Sequence, residues 1–201
     1  MPANPPADRA DLAVEIGFLI ADGFLAVNSG NFADIESLAT NLARYGDGLG
    51  AGKRVETHAR ALLDSAGEKD VETLKKELAA TQKTVEAELV ELGDADLAHL
   101  ISLGGWIRAL EIASTAVTRI HTQERAKHLM REDIADYYEY SIASLIPKIS
   151  ERPCFVKMRE ILTGLRRKMT AAPGAEVDKE RVAAIRESST SLVKLALERQ
   201  R

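Results

Sequence analysis

The strongest constraint on the fold is an apolar repeat that runs between Asp70 and Gly93. Apolar side chains recur there at intervals of three, four or seven residues, and charged or amide side chains fill the positions between them. This spacing draws one apolar stripe along a helix and does not match the two-residue alternation of a strand. The stretch therefore predicts a helix with one buried face. Its apolar positions are Val71, Leu74, Leu78, Val85, Leu89 and Leu92.

The rest of the chain follows the same helical period, without the alternating β-branched runs that a hairpin needs. Glycines, prolines and capping residues divide the 201 residues into about eight or nine helices. The sequence therefore predicts an all-α, multi-helix bundle with mostly antiparallel neighbours. We expect a single domain over 1–201, with residues 1–7 flexible. The predicted helices cover 8–27, 31–45, 53–66, 71–92, 94–121, 123–130, 134–146, 153–169 and a last segment from 179.

Composition and charge narrow the class of protein. The single cysteine, Cys154, excludes an internal disulfide and a multi-cysteine metal site. Residues 1–100 carry 9 basic against 18 acidic residues, and residues 101–201 carry 18 against 13. Two interpretations stay open: the halves neutralise each other in the fold, or the C-terminal half binds an anionic partner.

The sequence shows neither a secretory signal nor a long uncharged apolar segment. It therefore predicts a soluble chain without a membrane span. We expect it in the cytoplasm, unless the chain is the processed form of an exported protein.

Two adjacent glycines interrupt the long helix predicted at 94–121, although each costs roughly 1 kcal/mol relative to alanine in a helix. Gly105 belongs to a stripe of small residues, which lets another backbone approach closely. The first predicted helix has a similar stripe around Gly17. We therefore predict that these two helices pack together near Gly17 and Gly105, while Gly104 lies on another side. The stripe on the long helix is Ala98, Ser102, Gly105, Ala109, Ala113 and Ala116, and that on the first helix is Ala10, Ala13, Gly17 and Ala21.

Charged residues inside the apolar helices predict ion pairs, because a buried charge needs a partner. Arg108 is expected to be partly buried against a carboxylate, with Glu111, Asp22 and Glu15 as the candidates. A salt bridge that fixes the helix register and a polar binding cleft both fit these residues.

The glycine-rich stretch 46–52 lacks the pattern of a phosphate-binding loop. Asp47 stands where the motif needs its first glycine, and Arg54 stands where it needs Ser or Thr. We therefore expect this stretch to end one helix, and we expect no nucleotide cofactor there.

The sequence patterns for a metal site and for nucleic-acid binding are also weak. His121, Glu124 and His128 have the spacing of one helix face, but Thr122 is predicted to break that helix. We therefore expect no metal site, no cofactor and no catalytic residues. The basic residues around Arg166 suit the C-terminal end of a helix, so nucleic-acid binding is not favoured.

Five residues carry more chemistry than a plain bundle needs, because Trp, Tyr and Arg are common anchors of binding surfaces. They predict a ligand-binding site formed by the polar side of the long helix and the tyrosine-rich segment 131–140, with Tyr140 as a further surface residue. The candidates are Trp106, Arg108, Glu111, Tyr137 and Tyr138.

These residues favour a non-enzymatic binding or interaction module, whose partner is a protein or a small ligand. Two alternatives stay open. One is a carrier of a small apolar ligand or cofactor in a cavity beside the helix at 94–121, and the other is an enzyme with an unrecognised site.

The segment from Leu78 to Trp106 resembles a family of uncharacterised bacterial all-helical proteins. Its features are Leu78-Ala79-Ala80-Thr81-Gln82 and the stretch LAHLISLGGW that ends at Trp106. The resemblance covers about half of the chain and extends weakly into the tyrosine-rich segment. It implies a bacterial all-helical protein, often exported in its relatives, and it implies no activity and no site residues.

Overall fold

A computed structural model describes residues 5–172 and 174–198 of the chain. Within these residues the regular secondary structure is entirely helical, which confirms the predicted all-α, multi-helix fold. The chain divides into two compact units, residues 1–106 (unit 1) and residues 107–201 (unit 2). The boundary falls inside the long helix, and the single domain over 1–201 stays a prediction. Of the segment predicted to be flexible, residues 1–4 lie outside the described residues, and Pro6 is buried.

Four helices and the first half of a fifth form unit 1. The helices are α1 (Arg9–Ser29), α2 (Ala33–Leu49), α3 (Gly52–Glu68), α4 (Val71–Glu91) and α5 (Ala95–Arg119). Both α1 and α3 pack against α2 and α4, so these four helices surround one core. Alanine and aliphatic residues fill that core, together with Phe18 and Tyr45.

The apolar repeat of α4 faces this core as its spacing predicts. Leu74, Leu78, Val85 and Leu89 are fully buried. The prediction is wrong for Leu92, which is 54% exposed, because it follows the last helical residue and leaves the stripe. At the other end, the Asp70 carboxylate accepts a hydrogen bond from the Thr73 backbone N–H, the expected N-terminal cap.

The prediction that the stretch 46–52 ends the second helix near Tyr45 is wrong by one helical turn. Helix α2 continues through Gly46 and Gly48 to Leu49 and closes at Gly50, whose φ is +88°. A Cβ on Gly46 would lie 2.6 Å from Cγ2 of Val55. Gly46 therefore lets α3 approach closely, and this contact outweighs its low helix propensity.

Helices α1 and α5 pack backbone to backbone, which confirms the predicted contact near Gly17 and Gly105. A Cβ on Gly17 would overlap the Ile101 carbonyl oxygen and would lie 2.9 Å from the Gly104 carbonyl carbon. The placement of Gly104 on another side is wrong, because its Cβ would overlap the Val14 carbonyl oxygen. Gly105 has more room, since its Cβ would lie 3.6 Å from the Gly17 oxygen.

The small-residue stripe of α5 is only partly used. Ala98 is buried, whereas Ala109, Ala113 and Ala116 are exposed. The expectation that the whole stripe packs against a neighbouring helix is therefore wrong for its C-terminal half. The aliphatic side chains beside this stripe, Leu103 and Ile107 among them, are buried. By length and composition alone, α5 is also apolar enough to cross a membrane, a test that core helices of globular proteins pass as well.

Helix α9 is the centre of unit 2 and packs against α7 and α10. Side chains of Thr122 and Asp178 cap the helices that follow them. The helix predicted at 134–146 begins and ends two residues earlier, and Pro147 opens a short helix of its own. The helices of unit 2 are α6 (Gln123–Lys127), α7 (Glu132–Ser144), α8 (Pro147–Ser150), α9 (Pro153–Met169) and α10 (Lys179–Leu197).

Candidate functional site

The predicted site residues are distributed between the two units. Trp106 is the last residue of unit 1 and is half-buried, and the other four lie in unit 2. Arg108 donates a hydrogen bond to Glu111 one turn further along α5, and their side chains are 30% and 16% exposed. The prediction that Arg108 is partly buried against a carboxylate is therefore confirmed. A pair within one helix explains both charges without a ligand.

Glu15 was another candidate partner for Arg108, and it lies fully buried in unit 1. The Tyr45 hydroxyl donates a hydrogen bond of 2.9 Å to Oε2 of Glu15 and so connects α2 to α1. Glu15 therefore contributes to the core contact between these two helices.

The tyrosines of α7 point in different directions. Tyr138 is buried, whereas Tyr137 and Tyr140 are 52% and 74% exposed. The Tyr137 and Tyr138 rings meet edge to face with centroids 5.0 Å apart, a favourable aromatic geometry. The ring of Tyr138 thus packs against that of Tyr137, and Tyr137 and Tyr140 form an exposed aromatic surface on α7.

A pocket of about 550 Å³ opens beside this aromatic surface. Most of the residues that line it belong to α7, and Arg159 belongs to α9. Among the five predicted site residues, only Tyr137 lines this pocket. The lining residues are Asp133, Asp136, Tyr137, Glu139, Tyr140, Ala143 and Arg159.

Three carboxylates and one guanidinium line the pocket. Arg131 donates two hydrogen bonds to Asp133, and these bonds lower the pKa of the Asp133 carboxyl below its ordinary value of 3.8. Arg166 of α9 donates one hydrogen bond to Asp136 and forms an ion pair with it. Both ion pairs are well exposed, so each contributes little to the stability of the fold, although both carboxylates have a charged partner.

Glu139 and Arg159 differ from these exposed pairs. Oε1 of Glu139 accepts a hydrogen bond of 2.8 Å from the Thr163 hydroxyl, while its Oε2 is buried without a hydrogen-bond partner among the described residues. Nε of Arg159 is also buried without such a partner. Two residues that line the pocket thus each have a buried polar atom without a hydrogen-bond partner in the described residues, an uncommon state for buried polar atoms.

A second polar cluster connects α3 to α4 in unit 1. Nδ1 of His58 lies 3.0 Å from Oε2 of Glu77, and Nε2 lies 3.0 Å from the Thr84 hydroxyl. This order of carboxylate, imidazole and hydroxyl is that of a nucleophile with its base. However, Thr84 lies inside α4, whose backbone N–H groups are used by the helix and are not free to stabilise an oxyanion. The cluster is therefore explained as a contact between helices.

The histidine that the sequence placed in a possible metal site makes a contact within the protein. Nε2 of His121 lies 2.9 Å from the Val177 carbonyl oxygen, and Thr122 separates His121 from α6 as expected. Within residues 5–172 and 174–198, no three histidine, cysteine or carboxylate side chains gather into a group suited to a metal ion. Two further pockets lie on α3 and between α9 and α10, away from the side chains of α5.

Comparison with protein-family models, curated proteins and solved structures finds no match for the chain. The resemblance to bacterial all-helical proteins therefore stays a prediction. Sequence reasoning missed Arg159 and the carboxylates of the pocket, although Asp133, Asp136, Tyr137 and Tyr140 stand at the three- and four-residue spacing of one helix face.

Proposed function

We propose that this chain is a non-enzymatic binding module that holds a peptide segment of a partner protein in the pocket beside α7. The observation that carries the proposal is the exposure of Tyr137 and Tyr140 along one pocket of about 550 Å³. Large aromatic side chains usually bury most of their surface, and exposed tyrosines are frequent anchors of interfaces.

Three features support a binding role over a catalytic one. The carboxylates Asp133 and Asp136 are held by arginines in ion pairs, so neither stands as a free general base. The pocket wall comes mainly from one side of α7, which suits a segment lying along it. The aromatic rings supply contact area with few rotatable bonds, which limits the entropy lost on binding.

Selection from a library of displayed random peptides tests this proposal, because it assumes nothing about the chemistry of the partner. We expect wild-type protein to enrich peptides whose affinity falls about tenfold in Tyr137→Ala or Tyr140→Ala, since loss of one aromatic anchor costs more than 1 kcal/mol. Val90→Ala is the matched control, because Val90 is 56% exposed on α4.

Two outcomes contradict the proposal. One is a selection that enriches no peptide, and the other is a set of peptides that bind both tyrosine variants as tightly as wild type. Circular dichroism of each variant checks that the helices are intact, which is expected because both tyrosines are exposed.

A further inference from the structure

We infer that the pocket beside α7 recognises a basic side chain of a peptide, with its main chain hydrogen-bonded to Arg159. This inference rests on the proposed function and adds the chemistry of the partner. Its foundation is the pair of buried polar atoms that lack partners, Oε2 of Glu139 and Nε of Arg159.

The first step concerns charge. The side chains lining the pocket comprise three carboxylates and one guanidinium, and Arg131 and Arg166 offset the charges of Asp133 and Asp136. Glu139 is therefore the carboxylate that a cation would pair with. Within residues 5–172 and 174–198, Glu139 makes no ion pair, and its carboxylate accepts a hydrogen bond from the neutral Thr163 hydroxyl. A half-buried carboxylate in this setting is stabilised by a cation that enters the pocket.

The second step concerns the aromatic rings. Tyr137 and Tyr140 are exposed and line the pocket, and a guanidinium or ammonium group is attracted to the face of an aromatic ring. The same rings give apolar contact to the methylene groups of an arginine or lysine side chain. Rings and carboxylates on one helix face therefore favour the same kind of side chain.

The third step concerns Arg159, which would repel a free cation. A peptide resolves this conflict, because its main-chain carbonyl oxygens accept hydrogen bonds from Arg159 while its basic side chain donates to Glu139. Both residues line the pocket, and we expect the ligand to draw each unpartnered atom toward it by a side-chain rotation. One occupant then satisfies the donor and the acceptor together.

Binding of short defined peptides tests the inference. The probes are fluorescent pentapeptides, blocked at both ends, with a central Arg, Lys, Gln or Glu between glycines, measured by fluorescence anisotropy. We expect the Arg and Lys peptides to bind about tenfold more tightly than the Gln peptide, because a charge-assisted hydrogen bond is roughly twice as strong as a neutral one. The Glu peptide is expected to bind most weakly.

Variants then assign the contacts. Glu139→Gln should remove the preference for Arg and Lys over Gln, whereas Glu160→Gln, a carboxylate of α9 at a different pocket, should keep it. Arg159→Met keeps the aliphatic stem and should weaken the Arg peptide, since it removes the donor to the main chain. If Arg159 only repelled the ligand, this variant would bind it more tightly.

The results separate this inference from the proposed function. Equal binding of all four peptides, no binding of any, or tighter binding to Arg159→Met overturns the inference. Displayed peptides that depend on Tyr137 and Tyr140 but carry no basic residue also overturn it, while they leave the proposed function standing. Displayed peptides that ignore both tyrosines overturn the proposed function itself.

Discussion

Single glycines differ in how much space the fold leaves beside them. An added Cβ would overlap backbone atoms at Gly17 and Gly104, but it would make an ordinary contact at Gly105. We expect Gly17→Ala and Gly104→Ala each to lower the free energy of unfolding by about 1–3 kcal/mol. The reason is that backbone atoms cannot relieve the overlap by a change of rotamer, as side-chain atoms can. This loss outweighs the roughly 1 kcal/mol that alanine gains in a helix.

Chemical denaturation of the alanine variants measures these differences. Gly164 of α9 is the matched control, because it lies inside a helix and nothing stands within 4 Å of its Cβ position. Gly164→Ala should therefore stabilise the protein by up to about 1 kcal/mol. Gly105→Ala should fall between these cases, and a large loss there with none at Gly104 would contradict the described contact.

At the scale of single residues, the sequence predicted the contact between α1 and α5 but did not predict that Gly104 belongs to it. The spacing of small residues on both helices pointed to Gly17 and Gly105, because a helical wheel orders residues by angle. How α1 is displaced across α5 depends on the side chains at both edges of the contact, and a wheel does not contain that information. Gly104 was therefore placed on another side.

Helices α1 and α2 are connected by a buried hydrogen bond whose loss should be measurable. Tyr45→Phe removes the hydroxyl that donates to Glu15 and keeps the ring. We expect a loss of about 1–3 kcal/mol in the free energy of unfolding, because a fully buried carboxyl group then has one donor fewer. Tyr140→Phe is the control, since Tyr140 is exposed and its substitution should leave stability unchanged. Equal effects of the two substitutions would contradict the assignment.

Most helix boundaries follow from local chemistry and were predictable. Asp70, Thr122 and Asp178 cap the helices that follow them, and Pro153 opens α9 at the predicted residue. The end of α2 was not predictable, because Gly46 and Gly48 read as a helix stop. Both glycines instead face neighbouring side chains, those of Val55 and Leu12, so a tertiary contact overrides their propensity.

At the scale of the whole chain, the candidate site was only partly predictable. Composition and helical spacing drew attention to the tyrosine-rich segment, and Tyr137 lines the pocket there. Arg159 was not identified, because it comes from α9 and its position depends on how α7 and α9 pair. Arg108 and Glu111 were predicted as site residues because they are charged residues in an apolar helix, yet they form an ion pair with each other within one helical turn.

The division of the chain inside α5 gives a prediction for its native-state fluctuations. The overlap created by Gly104→Ala lies between α1 and the part of α5 that belongs to unit 1. Amide hydrogens open in cooperative groups, so the substitution should speed exchange in the group whose contacts it weakens. We therefore expect faster exchange in residues 9–29 and 95–106 of the variant, measured by mass spectrometry of peptic fragments. Fragments from α9 and α10 should change less, because their contacts lie in unit 2. Equal acceleration in every fragment would show that the chain opens as one cooperative domain, as the sequence alone suggests.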